Sequence, residues 1–137
     1  MLNGGVGGGI KDALALGKIA IYSGPQPLTA DAAATGTLLG TVSVDGGSTG
    51  LTFDNAVNGT LSKAAAEDWK FIGLAAGTAG YGRFYPAGGN PATSSSSEAR
   101  IDFSIATSGG DVNMTNVSVS VGTPNSIDLF VFTLPAQ

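Results

Sequence analysis

Residues 18–25 read KIAIYSGP, and this stretch decides the class of fold. Ile19 and Ile21 alternate with Ala20 and Tyr22, which is the period of two expected of a β-strand with a buried face. The Ser-Gly-Pro that follows is a strong breaker, so the strand ends there at a turn. A strand therefore opens the folded part of the chain.

The same alternation recurs along the rest of the chain. Val117, Val119 and Val121, for example, fall on one predicted strand face. About eight or nine short strands separated by glycine-rich turns predict an all-β fold. We expect a two-sheet β-sandwich of jelly-roll type, with a closed barrel as the alternative. Period-two segments begin near Leu38, Leu51, Trp69, Ile101 and Val117.

Two of these segments give detailed expectations. Leu38, Val42 and Val44 are predicted to share one strand face, with Leu39 on the opposite face. Residues 127–134, IDLFVFTL, are apolar at nearly every position. Such a run predicts a single strand that is either central in a sheet or an edge covered by a partner.

The predicted domain organisation is simple. Residues 1–17 are expected to form an arm and a short helix, and residues 18–137 a single β-sandwich domain. Residues 1–9, MLNGGVGGG, are too rich in glycine to hold a shape unaided, which predicts a flexible arm that orders on a neighbouring subunit or a frayed terminus. Residues 10–16 predict a helix of two turns, with Gly17 as its stop.

Composition indicates an assembly component. The chain has 137 residues, of which 42% are hydrophobic and only 12% charged. A surface with so few charges associates readily, so we expect other subunits to cover part of it; a monomer coated with Ser, Thr, Asn and Gly is the alternative. The net charge of −4 argues against a nucleic-acid partner. No apolar run approaches the ~20 residues that span a bilayer, and no signal peptide is evident.

The residue types also argue against an enzyme. The chain has no cysteine and no histidine, so we expect no thiol or imidazole catalysis, no metal site and no cofactor. Residues 46–50, GGSTG, match the G-x-S-x-G nucleophile elbow, but without a histidine base we interpret them as a loop. A pair of carboxylates remains the minor enzymatic alternative. Its candidates are Asp54, Glu67, Asp68, Asp102 and Asp128.

Candidate contact residues follow from side-chain type. Arg83 and Arg100 are expected to pair with an acid at an interface, because arginine is the preferred interface cation. Tyr81 and Tyr85, beside glycines, are the aromatic residues expected outside the core. The arm and the closing strand supply the apolar contacts. The predicted interface residues are Leu2, Val6, Ile10, Arg83, Tyr85, Arg100, Phe130, Phe132 and Leu134.

Residues 19–44, IAIYSGPQPLTADAAATGTLLGTVSV, resemble part of the small structural proteins of tailed bacteriophages. In those proteins a strand ending in a Tyr–x–Gly–x–Gln–Pro turn leads to an Ala/Asp-rich segment and then to G-T-L-L-x-T before the next strand. The chain from Trp69 onward is similar as well, notably GRFY at 82–85, RID at 100–102 and TSGGD at 107–111. No catalytic motif is part of the resemblance.

The resemblance implies a non-enzymatic virion protein, assembled in the host cytoplasm. Several phage proteins of this size are capsid decoration, or cement, proteins with sandwich or jelly-roll folds, which bind as dimers or trimers at capsid symmetry axes. The expected partners are therefore the major capsid protein and further copies of this chain. The alternative is a tail- or fibre-associated module that contacts host surface glycans through Tyr81 and Tyr85.

Overall fold

The structure, a computed structural model, describes residues 14–54, 60–109, 112–114, 116–127 and 131–133. All regular elements in these residues are strands, so the all-β class is confirmed. The predicted helix is not seen: Leu14–Leu16 form a turn, and the rest of that prediction, like the arm, lies outside the described residues. The turn is held because Leu16 N donates to Leu51 O at 2.9 Å, and Leu16 has a φ of 61°, outside the helical region.

Most strands belong to one large sheet with the order β7-β6-β5-β1-β2-β4-β9, in which β8 also pairs with β5. Neighbours are antiparallel, except that β6 and β7 are parallel. A separate pair joins β10 to β3. The strands are β1 (Lys18–Ser23), β2 (Leu38–Val44), β3 (Thr60–Ser62), β4 (Trp69–Ile72), β5 (Gly77–Tyr85), β6 (Ile101–Ala106), β7 (Val112–Asn113), β8 (Ser118–Val119), β9 (Pro124–Ile127) and β10 (Val131–Thr133).

A β-bulge on β2 changes which side chains enter the core. Ile21 and Tyr22 of β1 pair with positions two apart on β2, so Leu39 is an extra residue. Leu39 is buried with Val42, whereas Leu38 is exposed. The prediction that Leu38 shares a face with Val42 is therefore wrong, because the bulge shifts the alternation by one residue.

A second bulge lies on the other side of β1. Tyr22 pairs with Tyr81 and Ser23 with Ala79, so Gly80 is the extra residue of β5. A Cβ atom at Gly80 would collide with the backbone of Gly24, so this close approach requires glycine. Bulges increase local twist, and two at the same end of β1 account for the curl of the sheet into a half-barrel. The finer prediction of a two-sheet sandwich is not confirmed.

The main core covers one face of this sheet. Its centre is an aromatic cluster of Phe53, Trp69 and Phe84, whose ring centroids lie 5.5–6.0 Å apart. Trp69 and Phe84 are both buried. Such ring pairs contribute about 1 kcal/mol each beyond the burial of their area. The cluster ties β4 and β5 to the segment that carries Phe53.

The opposite face of β1 is also covered. Ala20, Tyr22 and Tyr81 form a second buried cluster, against which Tyr85 packs. Two loops contribute to this outer face: the β1–β2 loop, residues 24–37, and the β5–β6 loop, residues 86–100. This outer face holds the polar site described below.

Two predictions near the C-terminus meet the structure in part. Of the predicted strand at 127–134, Ile127 belongs to β9 at the edge of the large sheet, whereas Val131–Thr133 form β10 and pair with β3; the other residues of that prediction lie outside the described residues. Val121 is exposed rather than inward-facing. It lies in a turn that is held by a hydrogen bond from Gly122 N to Gly73 O at 2.8 Å. These outcomes depend on partner strands, which alternation along one strand does not specify.

Candidate functional site

An arginine–aspartate pair forms the centre of the outer face. Arg83 of β5 and Asp102 of β6 are paired in the sheet register. Arg83 Nε donates to Asp102 Oδ1 at 2.7 Å and Nη2 donates to Oδ2 at 2.9 Å. The side chains are 0% and 5% exposed, so this bidentate pair is shielded from solvent. Hydrogen bonding to Asp102 raises the pKa of Arg83, so the guanidinium stays charged.

The same guanidinium joins the two loops. Arg83 Nη1 donates to Ala32 O of the β1–β2 loop at 2.8 Å and to Pro91 O of the β5–β6 loop at 3.0 Å. The loops also bond to each other, because Ala34 N donates to Ala92 O at 3.1 Å. Arg83 therefore connects the sheet to both loops through one buried side chain.

A second arginine repeats this arrangement nearer the surface. Arg100 Nε and Nη2 donate to Glu98 Oε2 at 3.0 and 2.9 Å, and Nη2 also donates to Asn90 O at 2.6 Å. Asn90 N donates to Glu98 Oε1 at 3.1 Å. The hydrogen bond from Asn90 and those from Arg100 lower the pKa of Glu98. The β5–β6 loop is thus closed on itself by a carboxylate that stays ionised.

Tyrosines complete the outer face. Tyr81 Oη donates to Thr35 O at 2.7 Å and accepts from Thr35 N at 2.9 Å. Its ring stacks on Tyr22 with centroids 5.2 Å apart. The expectation that Tyr81 lies outside the core is wrong, since its side chain is fully buried. Burial raises the pKa of Tyr22 and of Tyr85, so both phenols stay protonated at neutral pH.

The candidate acids of the enzymatic alternative have structural partners. Glu67 accepts from Thr52 N at 3.0 Å, from Thr52 Oγ1 at 2.7 Å and from Trp69 Nε1 at 3.0 Å. Asp54 accepts from Ala65 N at 3.0 Å. Asp102 binds Arg83 as described above, and Asp68 lies 3.6 Å from Lys70. Asp128 lies outside the described residues.

The structure describes only some of the predicted interface residues. Arg83 and Arg100 were predicted to pair with an acid at an interface, but they pair with Asp102 and Glu98 of the same chain, and the Arg83 side chain is fully buried. Tyr85 is part-buried at the end of β5. For Phe132 the structure describes only the backbone, within β10. The remaining predicted residues, Leu2, Val6, Ile10, Phe130 and Leu134, lie outside the described residues.

An exposed apolar strip is the surface feature that the sequence reasoning missed. We use this name for Leu38, Ile72, Leu74 and Val121, whose side chains are 37%, 45%, 61% and 69% exposed. Backbone hydrogen bonds bring these segments together, since Leu74 N donates to Leu39 O at 2.8 Å and the Val121 turn bonds to the residue before Leu74. The available signal was that Ile72 and Leu74 lie opposite the inward-facing aromatics of β4.

Three further observations concern the class of protein. Among the residues that the structure describes, no helix has the length and apolar character needed to cross a membrane. In the same residues, no three aspartate or glutamate side chains lie together in a way that could hold a metal ion. Comparisons with protein-family models, curated proteins and solved structures find no match to this chain.

Proposed function

We propose that this chain is a non-enzymatic structural protein of a bacteriophage virion, which decorates the assembled head by binding the major capsid protein as a homo-oligomer. The observation that carries the proposal is the apolar strip, because clustered exposed apolar side chains mark surfaces that bind proteins. The low charge supports it, since only 6 basic and 10 acidic residues serve 137 positions. The resemblance of residues 19–44 to phage structural proteins supplies the biological setting.

The strip has a backbone suited to docking. Gly73 N donates to Thr123 O at 2.9 Å, and Gly122 N donates to Gly73 O at 2.8 Å, so the turn that carries Val121 is tied to the chain between Ile72 and Leu74. A surface that is already ordered loses little conformational entropy on binding. A protein that binds only the assembled shell stabilises it by mass action, and many copies add modest binding energies across every seam.

Two finer expectations stay proposals. The jelly-roll sandwich would need a second layer, for which the two-stranded β3–β10 sheet is the candidate. The tail- or fibre-associated alternative relied on Tyr81 and Tyr85 to contact glycans. Burial of Tyr81 against Tyr22 weakens that alternative, because both the ring and its hydroxyl are engaged within the chain.

The test uses heads of the phage that encodes this chain, prepared without it. Purified protein should bind these heads at a fixed stoichiometry and raise the temperature at which they release DNA. Leu74→Asp and Val121→Asp should each weaken binding about tenfold or more, because a charge would be buried at the interface. Leu28→Asp is the matched control, since Leu28 is a fully exposed leucine in the β1–β2 loop and is not part of the strip.

The outcomes separate the parts of the proposal. If the wild-type protein does not bind heads, the capsid function is wrong. If it binds and the strip variants bind equally well, the strip is not the docking surface. Circular dichroism and thermal unfolding of each variant establish that the fold is retained, as expected for changes at exposed positions.

A further inference from the structure

A cavity lies where the start of β1 meets the end of β5. Its volume is about 350 Å³, and Lys18, Ser48, Tyr85, Gly88 and Gly89 are among its lining residues. Lys18 and Tyr85 are direct partners across the two strands, so their side chains leave the same face of the sheet. The volume lies at the small end of the range seen for ligand sites, about 300–1,000 Å³.

Lys18 differs from the other basic residues described. The sequence has six basic residues, and five of them, all except Lys11, lie within the described residues. Four of these five are paired: Arg83 and Arg100 bind carboxylates, Lys63 donates to Glu67 O at 2.8 Å, and Lys70 lies 3.6 Å from Asp68.

The environment of Lys18 suits an anionic partner. Lys18 is part-buried, yet among the residues that the structure describes no carboxylate pairs with its ammonium and no carbonyl oxygen accepts a hydrogen bond from it. Removing a cation from water without giving it a partner costs free energy, so this position of Lys18 favours binding of an anion from outside the chain.

Two residues of the cavity lining, Tyr85 and Ser48, carry hydroxyl groups. Neither the Tyr85 nor the Ser48 hydroxyl has a hydrogen-bond partner among the described residues. Burial raises the pKa of Tyr85, so its phenol remains a donor at neutral pH. The Glu98 carboxylate lies close to Gly89 at the edge of this region, but Arg100 pairs with it and offsets its charge.

We propose that this cavity binds a small organic molecule bearing one carboxylate, which pairs with Lys18 and accepts hydrogen bonds from Tyr85 and Ser48. A single ammonium in a chain of net charge −4 suits a monoanion. A phosphate carries more charge and is ordinarily held by several donors or by a bidentate arginine. The inference does not depend on the proposed function, because no residue of the apolar strip lines the cavity.

The experiment compares two sugars that differ at one group. D-glucuronate and D-glucose share a ring, and glucuronate carries a carboxylate where glucose has a hydroxymethyl group. Each is titrated into the full-length protein at low ionic strength, with the backbone amides of Gly17, Ser48, Gly88 and Gly89 followed by NMR. Glucuronate should give saturable shifts at these amides, and glucose should give none.

Variants identify the cation responsible. Lys18→Gln should weaken glucuronate binding by roughly tenfold to a hundredfold, as expected for loss of a charged hydrogen-bond partner. Lys70→Gln removes the same charge from a lysine that pairs with Asp68 elsewhere on the sheet, and it should leave the affinity unchanged. Lys18→Arg keeps the charge and should retain binding. Thermal unfolding of Lys18→Gln shows whether the fold persists, and amide shifts outside the cavity provide a second check.

Three results would overturn the proposal. The first is equal binding of inorganic phosphate or chloride, which would indicate general attraction of ions. The second is an equal loss in Lys18→Gln and Lys70→Gln. The third is tighter binding of an end-blocked Gly-Asp-Gly peptide than of glucuronate, which would assign the cavity to an acidic protein segment instead of a small molecule.

Discussion

Replacing Asp102 with asparagine tests the central claim about the outer face. Asp102 accepts two charge-assisted hydrogen bonds from Arg83, at 2.7 and 2.9 Å, and the two side chains are 5% and 0% exposed. Asparagine keeps the shape but removes the charge, so the guanidinium stays buried without a counterion. Breaking a buried pair in this way costs about 3–5 kcal/mol, a large part of the roughly 5–15 kcal/mol that stabilises a typical domain.

The assay is urea unfolding followed by tryptophan fluorescence. Trp69 is the single tryptophan of the chain and is 1% exposed, so its emission reports loss of the core. Asp68→Asn is the matched control, because Asp68 pairs with Lys70 at 3.6 Å with 69% and 42% of the two side chains exposed. Exposed pairs contribute about 0–1 kcal/mol, so the control should unfold almost like the wild type.

The comparison of the two variants decides the matter. If Asp102→Asn loses no more stability than Asp68→Asn, the Arg83–Asp102 pair does not hold a buried charge and our reasoning fails. Hydrogen exchange adds an independent measurement. In Asp102→Asn the contacts of Arg83 with the two loops are weakened. The amides of Ala34 and Ser95, which donate hydrogen bonds between the two loops, should therefore exchange before the amides of β1.

Two further predictions concern pH. The hydrogen bonds to Glu98 lower its pKa in the folded state, so the stability they contribute is present above its ordinary value of 4.5 and is lost as the pH falls through the folded-state pKa. Wild type and Glu98→Gln should thus differ in melting temperature at about pH 7, and the difference should shrink as the pH falls through the folded-state pKa of Glu98; a constant difference would contradict this. Burial raises the pKa of Tyr22 and of Tyr85 above the ordinary value of 10.0. The stability linked to these shifts is present below the ordinary pKa and is lost as the pH rises through the folded-state pKa values. Near-ultraviolet absorbance should show later tyrosinate formation in the native than in the urea-unfolded protein, and coincident curves would refute it.

The loops illustrate a limit of reading a sequence alone. Most of the β5–β6 loop, the segment AGGNPATSSSS at 87–97, has the composition of a mobile loop. In the structure it is held by Arg83 and Arg100, which donate to its carbonyls at Pro91 and Asn90. The composition of residues 87–97 carries no sign of this, because both donors lie outside that segment: Arg100 stands at the end of the loop, and Arg83 lies in β5.

Local pattern by itself determined the strand character of this protein. In β1, β4 and β6 the alternation of apolar and polar side chains is a property of neighbouring residues, and it predicted that Ile19, Trp69 and Phe103 face the core, where they lie. Composition likewise limited the chemistry, since a chain without histidine and cysteine lacks the commonest catalytic and metal-binding groups.

Only the tertiary structure decided the curl of the sheet, the exposed strip and the burial of Arg83. A bulge depends on how two strands pair. The alternation within β2 alone therefore could not predict that Leu39, and not Leu38, lies in the core. The acid that pairs with Arg83 lies 19 positions away in sequence, and it comes within hydrogen-bond reach only because β5 and β6 are neighbours. Contacts between distant segments depend on the register of the whole sheet, and alternation within a segment carries no information about that register.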